Sequence, residues 1–279
     1  MDYKQVRHLM STPDRSVLLE VAETAAEKAG KQIAEIFRRG TFSVKRKYDY
    51  PGSIVTNADL ESEKVILTAI RRSGIKSTVV SEEVGRVDFG GRDIIWAIDP
   101  LDGTFNFSTR IPHFAVSIGV RDGSRTVAGV IYNPILGEMF TASRGEGACL
   151  NGHRIRVSRA TALRNSSIIF EWWYPEESIP DPLALEKKIY RYTRRLRSPG
   201  SVALNLCSVA SGRFDGLITV FRRSPVYETA AGSLIVEESG GVVTNSIGES
   251  WEKLSRSIIA AGPRIQRKLL SFVQSQQGC

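Results

Sequence analysis

The chain contains the stretch Trp96-Ala97-Ile98-Asp99-Pro100-Leu101-Asp102-Gly103-Thr104, in which an apolar run ends abruptly at two carboxylates. This pattern predicts a buried strand that delivers Asp99 and Asp102 to its carboxyl end. Two aspartates and the carbonyl of Leu101 can bind a hard divalent cation through oxygen atoms alone. A helix beginning at Gly103 would favour an anion such as phosphate. The stretch therefore indicates phosphoryl chemistry with a metal, although Asp-Pro and Asp-Gly are also common turn pairs.

Length and cysteine content limit the class of protein. The 279 residues, 42% of them hydrophobic, suffice for one large domain or two closely packed halves. No apolar run approaches the roughly 18 residues of a membrane span, and residues 1–16 lack the apolar segment of a secretory signal. Three scattered cysteines predict neither a disulfide framework nor a zinc site. We therefore expect a cytoplasmic protein that does not bind membranes.

The net charge of +8 favours anionic partners, either phosphorylated metabolites or nucleic acid. Nine lysines and arginines but only one acid lie between Lys187 and Arg223, and residues 187–197 could form a basic helix face. Such runs usually belong to a solvated surface, and no recognisable RNA-binding module accompanies this one. Nucleic acid is therefore not expected as a partner. The alternative is a non-catalytic or moonlighting protein that binds RNA or the transcription machinery through residues 187–223.

Hydrophobic periodicity predicts a mixed α and β chain. Apolar residues recur every four positions from Val17 to Phe37 and predict a long helix ending near Gly40, while Thr56 and Asp59 predict the start of a second. Further helices are predicted at residues 184–196, 203–211, 229–238 and 265–274. Strands are predicted at residues 78–83, 94–102, 115–120, 127–132, 138–143, 168–170, 216–220 and 257–261. Residues 86–93 are predicted to form a polar loop.

Acidic residues lie at the ends of three predicted elements, either at the last residues of a strand or just before a helix. They are Glu82 with Glu83, Asp99 with Asp102, and Glu228, which precedes a helix start rich in small residues. Taken alone, Glu228 is also explained as an acid favoured at a helix N-terminus. Taken together, the carboxylates and the threonine-bearing turn suit two or three magnesium ions, which can stabilise both the attacking and the leaving oxygen of a displacement.

Five pieces of sequence, in order along residues 15–265, resemble the inositol monophosphatase family of magnesium-dependent, lithium-sensitive sugar phosphatases. They are Val55-Thr56-Asn57-Ala58-Asp59, Ser81-Glu82-Glu83, Trp96 to Phe107, Gly145 to Ala148 with Asn151-Gly152, and Ala230 to Gly241. The resemblance implies a layered αβαβα sandwich, often assembled as a homodimer. We place an N-terminal half with the metal motifs at residues 1–157 and a C-terminal half that completes the site at residues 158–279.

The resemblance also implies a role for each matching position. The first metal would be bound by Glu82, Asp99 and the Leu101 carbonyl, the second by Asp99, Asp102 and Glu228, and a third through waters with help from Glu82. Mg²⁺ is the expected ion, with Mn²⁺ as a substitute and Li⁺ as an inhibitor. Thr104 paired with Asp59 would orient the attacking water, which a metal makes acidic. Water would attack directly, without a phosphoenzyme.

Substrate contacts are expected on both halves of the chain. Backbone N–H groups of Gly103 and Thr104 would hold the phosphate, and Ser201 and Val202 would shape the pocket. The family usually has Trp-Asp where this chain has Tyr227-Glu228, and a second threonine where it has Phe105. Inositol-specific relatives carry a glutamate where this chain has Phe221-Arg222-Arg223.

Arg222 and Arg223 resemble the arginines of archaeal relatives that also hydrolyse fructose 1,6-bisphosphate. A guanidinium can bind a second phosphate through two hydrogen bonds, although a surface role explains both arginines as well. We therefore expect a magnesium-dependent phosphomonoesterase that acts on inositol 1-phosphate, fructose 1,6-bisphosphate or both.

One rival chemistry has a matching spacing. Cys207 and Arg213 have the Cys-x5-Arg separation of cysteine phosphatases, which need a thiolate in a phosphate-binding loop. Because Cys207 lies in an apolar stretch typical of a helix interior, a buried structural cysteine is the favoured interpretation.

Overall fold

The computed structural model describes residues 13–47, 53–91, 93–172, 182–221, 226–253 and 257–275. Two N-terminal helices, α1 (Arg15–Arg39) and α2 (Asn57–Arg72), form its first layer. Helix α1 ends as predicted at Gly40, whose φ of 72° is the left-handed conformation that glycine adopts without a steric cost. A short hairpin of β1 (Val44–Arg46) and β2 (Ile54–Thr56) joins the two helices.

The N-terminal sheet lies against these helices with the strand order β10-β9-β8-β7-β6-β5-β3-β4. Its strands are β3 (Thr78–Ser81), β4 (Gly85–Asp88), β5 (Ile94–Asp102), β6 (Ala115–Asp122), β7 (Arg125–Asn133), β8 (Glu138–Ser143), β9 (Gly147–Leu150) and β10 (His153–Arg154). Neighbours are antiparallel except β3 and β5, which run parallel. The short helix α3 (Thr104–Ser108) follows β5 directly.

Strand β4 corrects the prediction of a polar loop over residues 86–93. It pairs with β3 through backbone hydrogen bonds at the edge of the sheet. Its side chains are mostly exposed, so it lacks the apolar alternation by which a strand is recognised in sequence.

The C-terminal sheet has the order β12-β11-β13-β15-β14, and its first three strands run parallel. The strands are β11 (Ser167–Trp172), β12 (Arg195–Arg197), β13 (Gly216–Val220), β14 (Val242–Thr244) and β15 (Ser257–Ala261). Its helices are α4 (Pro182–Tyr192), α5 (Val202–Ala210), α6 (Val226–Glu238) and α7 (Pro263–Gln274).

The helix predicted over residues 184–196 is therefore too long, and a continuous basic helix face over 187–197 is wrong. Helix α4 ends at Tyr192, and the chain then adds β12 to the edge of the sheet. The Arg194 N–H donates to the Ser166 carbonyl, a contact between distant segments that local periodicity does not contain.

These elements stack as the αβαβα sandwich expected from the sequence. One core joins α1 and α2 to the N-terminal sheet, a central core places α5 and α6 between the two sheets, and a third lies beneath α4 and α7. The middle of helix α6, residues 229–236, is buried on all sides because it lies between the two sheets. No helix among the described residues is long and apolar enough to cross a membrane. The division of the chain at residues 157 and 158 stays a prediction.

Candidate metal centre and phosphate site

Strand β5 carries the two aspartates of the quoted stretch to one end of the N-terminal sheet. The register between β5 and β6 shifts between Asp99 and Asp102, so the strand bulges where its carboxylates begin. Because β3 runs parallel to β5, Glu82 lies beside this end, and its N–H donates to the Ile98 carbonyl at 3.1 Å. The sheet thus brings together acids that are 17 residues apart in sequence.

A fourth acid, Glu228, joins Glu82, Asp99 and Asp102 from the C-terminal half. Glu228 lies in the first turn of α6 and not, as expected, immediately before the helix. One carboxylate oxygen each from Glu82, Asp99 and Glu228 lies within 4.8 Å of the other two. Carboxylates at this separation, one of them buried and two partly buried, repel one another unless protons or a cation compensate their charge. Three convergent oxygen donors fit a hard divalent cation such as Mg²⁺.

The electrostatics of these acids agree with a cation site. Burial raises the pKa of Asp99, and the charges of Glu82, Asp102 and Glu228 raise it further. Burial, followed by the charges of Glu82 and Asp102, likewise raises the pKa of Glu228. A bound divalent cation would reverse both effects by favouring the ionised forms.

Lys47, which sequence reasoning did not single out, supplies a positive charge at the rim. Its Nζ donates to Glu82 Oε1 at 2.9 Å and to Glu83 Oε1 at 2.8 Å. Burial alone would lower the Lys47 pKa, but these two carboxylates outweigh that effect and raise it. The only local signal was its place in the basic segment Lys45-Arg46-Lys47. The pairing itself depends on a fold that brings residues 35 positions apart into contact.

Thr104 and Asp59 meet beside the acidic cluster, as the sequence predicted. The Thr104 hydroxyl lies 2.9 Å from Asp59 Oδ1 and 2.9 Å from the Leu101 carbonyl oxygen. Asp59 also accepts hydrogen bonds from the Thr56 N–H and hydroxyl, which complete the capping box of α2. Burial raises the Asp59 pKa to about 6 even though hydrogen bonds from Thr56 and Thr104 lower it.

Asp102 faces the N-terminus of α5. It accepts hydrogen bonds from the Ser201 hydroxyl and from the N–H groups of Val202 at 3.3 Å and Ala203 at 2.9 Å. Burial raises its pKa to about 7 against these hydrogen bonds. Asp102 thus lies next to Ser201 and Val202, while the group of convergent oxygens is formed by Glu82, Asp99 and Glu228. Its role as a metal ligand stays a prediction.

Gly103 makes the turn between β5 and α3 with a φ of 89°. A Cβ atom there would lie 2.9 Å from the His113 carbonyl oxygen, so a larger residue would have to displace the backbone. The backbone N–H groups of Gly103 and Thr104, which are predicted to bind phosphate, therefore belong to a turn whose conformation is fixed. Arg222 and Arg223, predicted to bind a second anionic group, lie outside the described residues.

Comparison with known proteins identifies the family of this chain. The sequence profile described as "Inositol monophosphatase family" matches residues 14–277. The chain belongs to the inositol monophosphatase family. It is 37% identical over 260 residues to "Nus factor SuhB" of Escherichia coli strain K12, covering 93% of this chain and 96% of that one.

Solved structures of family members share the fold. The extragenic suppressor protein suhB of Bartonella henselae is 33% identical, with a TM-score of 0.85 over 94% of this chain and 99% of that one. The MJ0109 gene product, described as an inositol monophosphatase-fructose 1,6 bisphosphatase, is 27% identical, with a TM-score of 0.76 over 91% of this chain and 98% of that one.

Besides Thr56 and Asp59 at its N-terminus, helix α2 has two further residues that support the site. Ser62 donates to the Pro100 carbonyl at 2.6 Å, and buried Glu63 accepts from the Ser81 hydroxyl and the Val84 N–H. These residues follow Asp59 by three and four positions, so they lie on the same helix face. That spacing was the signal that could have identified them.

Cys207 has the structural environment expected from its sequence. It lies inside α5 with 1% of its surface exposed, and burial raises its thiol pKa. Nucleophilic cysteine chemistry needs the opposite shift toward a thiolate. The Cys-x5-Arg spacing therefore does not mark a second phosphatase site, and Arg213 instead pairs with Glu138 on β8.

Proposed function

We propose that this protein is a magnesium-dependent phosphomonoesterase that acts on small sugar or polyol phosphates. The observation that carries the proposal is the convergence of Glu82, Asp99 and Glu228 within 4.8 Å, beside the hydrogen-bonded pair Thr104 and Asp59. Acidic clusters also occur in proteins without a metal. In this protein the cluster lies next to the Gly103 turn. The chain also belongs to the inositol monophosphatase family.

Each residue has a defined task in this proposal. Glu82, Asp99 and Glu228 would hold Mg²⁺, with Asp102 and the Leu101 carbonyl as further oxygen donors. When bound, Mg²⁺ supplies positive charge that stabilises the developing negative charge and lowers the pKa of water. A water that donates to the Thr104 hydroxyl can pass its proton through that hydroxyl to Asp59, 2.9 Å away.

Two substrates are favoured among the phosphate esters. Inositol 1-phosphate follows from the family, and fructose 1,6-bisphosphate is supported by the 27% identity to the MJ0109 gene product. Arg222 and Arg223 would bind the second phosphate of a bisphosphate. A cytoplasmic location and a homodimer remain parts of this proposal, the first supported by the low cysteine content of the chain.

Phosphate release from both esters, measured with and without Mg²⁺, tests the proposal. We expect turnover that requires Mg²⁺ and that falls by roughly 10³-fold in Asp99→Asn. Asp122→Asn is the matched control, because Asp122 is an exposed aspartate at the other end of β6. Wild-type turnover in Asp99→Asn, or turnover that persists in the presence of a chelator, would refute the proposal.

A second candidate function, binding of RNA or the transcription machinery, has support of its own. Several relatives are named Nus factor SuhB. On this chain, the exposed cations of α4, of β12 and of the link between them make no ion pair within the part of the chain that the structure describes. They lie beside the exposed Tyr190 and Tyr192. These cations are Lys187, Arg191, Arg194, Arg195 and Arg197. Unpaired cations interleaved with aromatic rings suit a single-stranded polyanion.

Salt-dependent binding of single-stranded RNA distinguishes the two functions. We expect the combined change Lys187→Glu and Arg191→Glu to weaken RNA binding and to leave phosphatase turnover intact. Arg86→Glu with Arg125→Glu reverses the same number of charges on the N-terminal sheet and serves as the control. Equal losses in both double variants would indicate only a net-charge effect.

A further inference from the structure

A group of buried polar side chains lies behind Asp102, and no role in the proposed reaction accounts for it. Glu171 on β11, Thr219 on β13 and Asn205 on α5 are each at most 2% exposed. Within the part of the chain that the structure describes, Glu171 Oε2, Thr219 Oγ1 and both polar atoms of the Asn205 side chain have no hydrogen-bond partner. Buried polar atoms without partners are rare in folded proteins, so a cluster of them calls for an explanation.

Strand geometry aims Glu171 at α5. Side chains alternate along β11, and Glu171 shares its face with Ile169, which belongs to the central core together with α5. Glu171 and Thr219 are register partners on neighbouring parallel strands. Asn205 faces both the Glu171 carboxylate and the His113 ring without meeting either in a well-aligned hydrogen bond.

Among the described residues, Glu171 makes one side-chain hydrogen bond, and it connects Glu171 to the turn beside Asp102. Its Oε1 accepts the N–H of Gly200, whose φ of 87° belongs to the left-handed region. The next residue, Ser201, is the N-cap of α5, and its hydroxyl donates to Asp102. The Asn106 side chain also holds this turn in place, since its Nδ2 donates to the Pro199 carbonyl at 2.8 Å and to the Gly200 carbonyl at 3.2 Å.

We propose that Glu171 is a positioning residue that fixes the turn at residues 199–201 and through it orients Asp102. Among the described residues, no hydrogen bond joins Glu171 to the three convergent carboxylates or to Gly103 and Thr104, and its Oε1 bonds to Gly200 instead. It acts as the acceptor for Gly200, and the first turn of α5 transmits that position to the Asp102 carboxylate. The inference rests on the proposed function, because it assigns the consequence to cation affinity at the Asp102 side of the site.

An acceptor role predicts a specific order among three variants. Glu171→Leu removes the acceptor and leaves the Gly200 N–H buried without a partner. Glu171→Gln keeps an acceptor oxygen at the same distance from the backbone and removes only the charge. Thr219→Val removes a neighbouring orphan hydroxyl from the same cluster without touching the turn, so it controls for disturbance of the cluster itself.

Two readouts on the full chain test the proposal. Amide hydrogen exchange in peptides covering residues 199–204, measured without metal, should accelerate in Glu171→Leu and match the wild type in Glu171→Gln and Thr219→Val. The dissociation constant for Mn²⁺, measured by calorimetry, should rise about tenfold in Glu171→Leu and stay within about twofold in the other two variants. Unchanged melting temperatures in Glu171→Gln and Thr219→Val would exclude general destabilisation.

The proposal is overturned if Glu171→Leu shows wild-type exchange and affinity. It is equally overturned if Glu171→Gln is damaged as much as Glu171→Leu, because the charge and not the acceptor would then matter. If Glu171→Leu does not fold, Glu171→Met replaces it, since methionine resembles glutamate in length. A wild-type protein that binds no Mn²⁺ would count against the proposed function, while the exchange data would still decide the role of Glu171.

Discussion

An ionised Asp99 destabilises the folded protein unless a cation lies beside it, because the side chain is buried among other acids. The side chain is buried, its pKa is raised by burial and by three neighbouring acids, and its hydrogen bond from the Leu101 N–H at 3.0 Å offsets only part of that effect. Such placements are typical of functional sites, where stability is given up for chemistry. At the scale of single residues, activity and stability should therefore change in opposite directions.

Replacing Asp99 by asparagine should separate these two effects. We expect Asp99→Asn to lower magnesium-dependent turnover by roughly 10³-fold, because a charged oxygen donor is lost. The cation-free protein should become more stable by about 1 kcal/mol, because one charge leaves a repulsive cluster. Steady-state kinetics and urea unfolding in a chelator measure the two quantities. Full activity, or a cation-free protein less stable than the wild type, would contradict this account of Asp99.

Thr104 offers a test of proton transfer. Thr104→Ala removes the hydroxyl between Asp59 and the Leu101 carbonyl and should lower kcat by roughly 10²-fold. Thr104→Ser keeps the hydroxyl and should retain most of the activity. If KM rises while kcat stays constant in Thr104→Ala, Thr104 binds substrate and does not orient the attacking water.

At the scale of elements, Lys47, which follows β1, connects the hairpin of β1 and β2 to the site. Lys47 pairs with Glu82 and Glu83, and its side chain is only 13% exposed. The Lys47 N–H also donates to the Ser53 carbonyl at 3.0 Å, so its backbone belongs to the hairpin. In the cation-free protein, this ammonium group is the nearest compensation that the structure shows for the acids at the rim.

Removing that ammonium should make the protein depend on magnesium for stability. We expect Lys47→Met to lower the free energy of unfolding by about 2 kcal/mol without cation, because two largely buried carboxylates lose their partner. Added Mg²⁺ should recover much of the loss. The control is Lys45→Met, at an exposed position of β1. Thermal unfolding of both variants with and without Mg²⁺ measures the effect, and equal behaviour of the two would contradict it.

Local sequence patterns predicted the elements whose signal lies within a few residues. The capping box of Thr56 and Asp59 marked the start of α2, and the apolar run before Asp99 marked β5. Strands β4 and β12 were missed because they are short and polar. Backbone pairing holds both in place, β4 with the neighbouring β3 and β12 with the distant β11. The end of α4 at Tyr192 was missed for the same reason.

Over the whole molecule, the site is assembled from both halves of the chain. The sequence predicted which acids belong together through a family resemblance, and their convergence depends on a stack in which α6 carries Glu228 to the end of β5. The pairing of Lys47 with Glu82 and the turn that connects Glu171 to Asp102 could not be predicted, because each joins segments 29 or more residues apart.

The accumulated acids should make global stability depend on pH. The pKa values of Asp59, Glu83 and Asp102, about 6, 7 and 7, all lie above the ordinary values of 3.8 for Asp and 4.5 for Glu. Between about pH 4 and 7 the folded protein therefore binds more protons than the unfolded chain, and its stability falls as pH rises. Urea unfolding of the cation-free protein from pH 5 to 8 should show this fall, and Mg²⁺ should reduce it. Stability that rises with pH without cation would contradict the assignment.

The most direct test of the metal centre is anomalous diffraction from crystals grown with Mn²⁺. The account predicts a strong anomalous peak bounded by the carboxylates of Glu82, Asp99 and Glu228, and its loss in crystals of Asp99→Asn. Wild-type crystals without anomalous density at this position, under conditions in which Mn²⁺ supports turnover, would contradict it.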